Sequence, residues 1–162
     1  MTSWNDFAQA EPELSELVQR RIEATGLALL ATLRADGSPR ISGVEPSIFD
    51  GEIWLGMMDG SRKAQDLQRD PRLSLHNATV DKEVKEGDVK VSGRAIEITD
   101  DATIRGFLKA FAEANGYGPS EDSAMHLFIV DIGEVASIQP AGDHLVIQSW
   151  SPDRGLRRFE RK

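Results

Sequence analysis

The sequence predicts a mainly β (α+β) protein, an antiparallel barrel of about six or seven strands with flanking helices. Seven segments show period-two alternation or short apolar runs: 27–34, 40–49, 52–58, 72–77, 89–98, 126–139 and 144–150. Asp36-Gly37, Asp50-Gly51 and Gly142-Asp143 join neighbouring segments, and such dipeptides turn a chain into antiparallel hairpins. Helical patterns at Ser61 to Arg69 and Asp101 to Ala114 interrupt the strand series. Closure into a barrel follows because it leaves few open sheet edges.

Taken in order, Glu11-Pro12-Glu13 followed by Leu14, Leu17, Val18 and Ile22 predicts an amphipathic helix with acids and proline in its first turn, ended by Gly26. The segments 27–34, 40–49 and 52–58 then form consecutive hairpins. Ser61 starts the next helix and Asp70-Pro71 stops it; Asp101 lies at the start of the last helix and Asn115-Gly116 ends it. Residues 1–10, 80–87 and 116–122 lack either period and are expected to be the least ordered. Lys82 to Glu86 reads as a solvated loop or, in a dimeric barrel, as a reach toward the neighbouring subunit. The basic residues Arg154, Arg157, Arg158, Arg161 and Lys162 read as a solvated tail, with a subunit contact or second anion site as the alternative.

At 162 residues the chain is expected to be one domain, 1–162, with mobile tails at 1–10 and 152–162. It has no cysteine, so disulfides, thiolate metal sites and a cysteine nucleophile are excluded. A net charge of −8 argues against a nucleic-acid surface. Its apolar runs are too short to span a bilayer, and Met1 to Ala10 does not read as a secretion signal; the expectation is a cytoplasmic protein with no membrane partner. A phosphate-binding Walker loop, G-x-G-x-x-G, H-E-x-x-H and G-x-S-x-G are all missing. His76, His126 and His144 lack metal-ligand spacing and are expected as packed or surface residues, with no metal site.

Gly60-Ser61-Arg62-Lys63 lies between a strand and a helix. A hydroxyl residue at a helix start, followed by two cations, offers a phosphate free amide donors, the positive end of the helix dipole and formal charge. Arginine grips phosphate oxygens in a fork and lysine adds a mobile point charge. The competing reading is a simple helix cap with two solvated cations.

The whole stretch from Gly60 to Leu75 resembles the phosphate-binding segment of the pyridoxamine 5′-phosphate oxidase-like flavoproteins. Val91-Ser92-Gly93-Arg94-Ala95 is similar to that family's V-x-G-x-A strand, and the resemblance covers roughly residues 27 to 100. It implies a split β-barrel, a homodimer with the cofactor site at the subunit interface, and FMN as cofactor. Ser61, Arg62 and Lys63 would anchor the phosphate; Arg40, Ser42, Gly43, Val44 and Glu45 would orient the ring; Gly56 and Met57 would line its other edge. Gly43 suits close backbone approach to a flat ligand, or else a strand bulge. Met58 is expected in the core, and Trp54 in the core or at the dimer interface.

No catalytic side chain is required, since the flavin N5 carries the chemistry. Glu45 and Asp88 stand where the true oxidases have lysine and glutamine, and residues 154–162 lack their carboxy-terminal histidine. A carboxylate in place of a phosphate-binding cation argues against a vitamin phosphate. The expectation is an FMN-dependent oxidoreductase acting on a small conjugated or aromatic molecule. Alternatives are a reductase using the deazaflavin coenzyme F-420, or a flavin or heme carrier whose pocket is sealed by Trp150 or the tail.

Overall fold

The computed structural model describes residues 1–79, 81–120 and 122–162. Among them lie four helices and nine strands: α1 (Trp4–Ala10), α2 (Pro12–Glu23), β1 (Ala28–Leu33), β2 (Pro39–Val44), β3 (Pro46–Phe49), β4 (Glu52–Met58), α3 (Arg62–Arg69), β5 (Arg72–Asn77), β6 (Asp88–Ile98), α4 (Asp101–Asn115), β7 (Met125–Ala141), β8 (His144–Ser151) and β9 (Gly155–Arg161).

All pairings are antiparallel, in the order β2-β1-β5-β6-β7-β4-β3. The two ends of this series, β2 and β3, are consecutive in the chain and separated by Glu45 alone, so the barrel closes through covalent continuity. The sequence suggested one strand over 40–49. Pro46 divides it, because proline has no N–H for a ladder and restricts the residue before it.

The turn residues take the conformations their chemistry favours. Asp50 and Gly51 both have positive φ, as a tight two-residue hairpin requires. β6 changes register against β7 between Ser92 and Gly93, and a Cβ built on Gly93 would lie 2.1 Å from the Asp131 carbonyl oxygen. This bulge lets β6 and the 17-residue β7 bend together around the barrel.

Two apolar clusters result. Leu30, Val44, Leu55, Met57, Leu75, Val91, Phe128 and Ile132 fill the barrel together with Leu14, Val18 and Ile22 of α2. Outside the barrel, Phe107 and Leu108 of α4 cover Trp54, Leu127 and Ile129 on the outer face of β4 and β7. Trp54 stacks on Phe49 at 5.4 Å between ring centres and donates its indole N–H to the Phe49 carbonyl. It is a core residue.

Both expected tails are instead built into the fold. Ser3 and Asp6 form a reciprocal capping box that starts α1, and Phe7 is fully buried with its ring 4.9 Å from that of Trp150. The short apolar content of residues 1–10 concealed this, since only Trp4 and Phe7 need to reach the core. Residues 155–161 form β9, paired along its length with β8. The pairing is a backbone ladder, so its arginines give no periodic sign of it. Val80 and Glu121, within two segments expected to be poorly ordered, lie outside the described residues. Asp81 to Gly87 forms turns in which the Asp81 carboxylate accepts the Glu83 and Lys85 amides. No helix among the described residues is long and apolar enough to cross a membrane.

Candidate functional site

Gly60, at φ +64, turns the chain out of β4, and Ser61 takes the extended conformation of a helix N-cap. Its hydroxyl does not cap the helix. Ser61 Oγ is shielded from solvent and has no hydrogen-bond partner among the described residues. A buried hydroxyl with no partner costs stability unless something fills the gap. Ser61 lines neither of the two cavities that flank the start of α3.

Successive helical residues diverge by roughly 100°, so Arg62 and Lys63 point into different spaces. Arg62 lines a cavity of about 320 Å³ together with Arg34, Arg40, Arg69, Asp36, Asp66 and Gln65. Four guanidinium groups against two carboxylates leave this space positive. Asp66 organises it: the nearly inaccessible carboxylate accepts from Arg40 Nε at 2.6 Å, Thr32 Oγ1 at 2.9 Å and Arg69 at 3.0 Å. Burial alone would raise the Asp66 pKa, but the hydrogen bonds from Arg40, Arg69 and Thr32 outweigh it and hold the carboxyl below its ordinary value. Arg40 spends Nε on Asp66, and among the described residues no protein acceptor takes its two terminal nitrogens.

Lys63 lines the second space, a mostly apolar cavity of about 560 Å³. One wall is Gly43, Val44 and Glu45; another is Gly56, Met57 and Met58; Phe107, Leu108 and Phe111 of α4 close the third. Lys63 Nζ donates to the Gly43 carbonyl at 2.7 Å. Burial pushes its pKa down, with the Glu45 charge opposing. The β1–β2 register runs without a shift through Gly43, which removes the bulge reading, and a Cβ there would meet nothing within 4 Å. At Gly56 a Cβ would come within 3.0 Å of the Met125 methyl.

The expected residues therefore divide. Gly43, Val44, Glu45, Gly56, Met57 and Lys63 share the apolar cavity; Arg40 and Arg62 share the positive one; Ser61 starts the helix between them. The resemblance implied a place along the ring for Arg40, but it shares the inner face of β2 with Ser42 and Val44 and bonds Asp66 of α3, which puts it beside Arg62. Ser42 is half-buried and lines neither cavity. Met57 lines the cavity and is also buried in the core; Met58, expected in the core, is instead exposed and borders the same cavity, because strand alternation turns it to the other face. Trp150 packs in the core against Phe7, and neither it nor residues 154–162 line either cavity, so the sealed-pocket form of the carrier reading has no support there.

Sequence reading missed Arg34, Asp66, Arg69 and the α4 aromatics. A signal existed for two of these: Arg62, Asp66 and Arg69 recur at helical spacing on one face of α3. Arg34 and Phe107 reach the site only through tertiary packing.

Residues 14–139 match the family model described as pyridoxamine 5′-phosphate oxidase. No curated protein sequence matches the chain. Among solved structures, a heme binding protein from Mycobacterium smegmatis is 24% identical with a TM-score of 0.61, the match covering 85% of this chain and 58% of that one. PhzG from Burkholderia lata, solved with tetrahydrophenazine-1-carboxylic acid, is 13% identical with a TM-score of 0.70 over 94% of this chain and 93% of that one. A pyridoxamine 5′-phosphate oxidase-related, FMN binding protein from Nostoc punctiforme is 12% identical with a TM-score of 0.66 over 94% and 96% of the two chains. At these identities the structures support the barrel alone. With the family model spanning most of the sequence and the closed barrel underneath it, the chain belongs to the pyridoxamine 5′-phosphate oxidase family.

Proposed function

We propose that this protein binds FMN and moves a hydride between the reduced flavin and a small conjugated or aromatic substrate. The observation that carries the reading is Ser61 Oγ, buried and unpartnered among the described residues, at a helix start beside an arginine-lined cavity. A phosphomonoester satisfies all of these groups at once. When bound, FMN supplies a hydride site at N5.

The side chains then have separate tasks. Arg40 and Arg62 donate to phosphate oxygens, and Asp66 fixes the direction of Arg40. Lys63 ties the helix start to the Gly43 carbonyl and keeps that strand at a fixed distance from the anion site. Gly43, without a side chain, leaves room for a flat ring to lie on the backbone. Phe107, Phe111 and Met57 exclude water and offer aromatic and thioether surface to a planar substrate. None of them is asked to transfer a proton.

The outer face of β1 and β2 exposes Leu29 and Ile41, with Leu27 and Met58 nearby. A second copy covering this apolar surface would form the homodimer and place the flavin at the subunit interface, in a cytoplasmic protein.

Absorbance titration with FMN, deazaflavin coenzyme and heme, followed by turnover assays with a nicotinamide donor and quinone or enone acceptors, tests the proposal. A saturable red-shifted flavin spectrum with turnover supports it. Flavin binding without turnover would leave a carrier; preference for deazaflavin or heme would change the cofactor; no spectral change with any of them would end the reading.

A further inference from the structure

His126 on β7 pairs with Met57 of β4, which places its ring beneath the 59–61 turn. Its side chain is 18% exposed. Nδ1 lies 3.0 Å from Glu97 Oε1 on β6, and Gln68 of α3 donates to the same carboxylate oxygen at 2.8 Å. On the other side of the ring, the Gly60 amide donates to Nε2 at 3.3 Å. Asp59 Oδ1 is 3.5 Å from Nε2. The charged groups facing the ring are thus Asp59 from the turn and Glu97 from β6. The remaining neighbours are the neutral Gln68 of α3 and the Phe128 ring on the same strand, 6.5 Å between centres.

These contacts assign the two ring nitrogens. A backbone amide donates only to a ring nitrogen that carries no proton, so Nε2 is the acceptor and Nδ1 gives its hydrogen to Glu97. His126 therefore joins Glu97 to Gly60. Two other bonds hold the same turn: Ser61 N–H to the Met58 carbonyl at 3.1 Å, and Gln65 Nε2 to the Gly60 carbonyl at 3.1 Å. Among the described residues, only His126 takes the Gly60 amide.

We propose that His126 is a positioning residue for the anion site: by holding the Gly60 amide it fixes the turn that presents Ser61 Oγ and Arg62 to a phosphate. Its consequence for FMN rests on the function proposed above, whereas the hydrogen bond to Gly60 does not. Nothing in the sequence pointed to this histidine, which lies 66 residues from its amide partner.

The test compares wild type, His126→Ala and His126→Gln by two readouts: the Gly60 amide proton shift by NMR, and FMN affinity at neutral pH, on samples whose folding is checked by thermal melting. Glutamine can accept the Gly60 amide and donate to Glu97. The expected result is FMN binding about two- to tenfold weaker in His126→Ala at neutral pH, as for one lost hydrogen bond, with His126→Gln near wild type. The Gly60 shift should move in His126→Ala and return toward the wild-type value in His126→Gln. Equal affinities and an unmoved Gly60 shift in His126→Ala would overturn the proposal, as would a failure of His126→Gln to restore affinity above that of His126→Ala. If no variant binds FMN while the Gly60 shift still follows His126, the cofactor assignment falls and the turn-holding role stands.

Discussion

Arg40 Nε donates to Asp66 Oδ2 across 2.6 Å, joining the second strand to the third helix through a carboxylate that is almost wholly enclosed. Thr32 and Arg69 complete the set of donors. One buried anion thus aims two cations at the cavity that Arg62 borders, and both stability and anion affinity should depend on it.

Asp66→Asn removes the charge while keeping the shape. Because the folded carboxyl titrates below its ordinary value, its stabilisation is complete above the ordinary carboxylate range and disappears as pH falls through the folded pKa. The variant should be less stable than wild type by about 1–3 kcal/mol at neutral pH, and the difference should close in acid. Denaturant unfolding of both proteins at stepped pH measures it. A gap that stays constant to low pH would show that Asp66 acts only as a packing residue.

Ser61→Ala separates binding from folding. With no protein partner to lose, the fold should change by no more than about 0.5 kcal/mol, whereas FMN affinity should drop by about 1.5–3 kcal/mol if the hydroxyl donates to a phosphate. Isothermal titration and a thermal melt on the same sample give both quantities. Loss of stability with unchanged affinity would reverse the assignment.

Arg62→Ala and Lys63→Ala should differ, since the two side chains occupy different cavities. Arg62 is exposed and bonds only Gln65 among the described residues, so its removal should weaken FMN binding about tenfold or more and leave the fold intact. Lys63 also holds the Gly43 carbonyl, so its removal should lower both affinity and stability. Flavin fluorescence quenching with parallel unfolding curves distinguishes them; identical behaviour in both assays would contradict the division of the pair.

Gly93→Ala tests the barrel bend. The added methyl meets the Asp131 carbonyl at 2.1 Å, a backbone atom that cannot rotate aside, and the expected cost is about 3 kcal/mol or more. Equilibrium unfolding that places the variant within about 1 kcal/mol of wild type would show that the bulge can relocate.

Much of this protein was legible in the chain because it is local. Period-two alternation, Asp-Gly turns and helix stops act over a few residues, and they marked β1, β4, β5, β6 and the ends of α3 and α4. The Gly60 to Lys63 segment carried its chemistry in its own order.

Other features needed long-range packing. That α1 plugs the core through Phe7 is decided by Trp150, a partner far away in sequence, whereas Pro46 divides its strand and β9 pairs with β8 across a short turn through local backbone chemistry that the alternation of residue types does not display. Residue types alone marked Arg62 and Lys63 as anion ligands, yet only the helix's orientation on the barrel sends one into a positive cavity and the other into an apolar one. Arg40, Asp66 and His126 gain their roles the same way, since a hydrogen bond acts over about 3 Å and sequence distance says nothing of that.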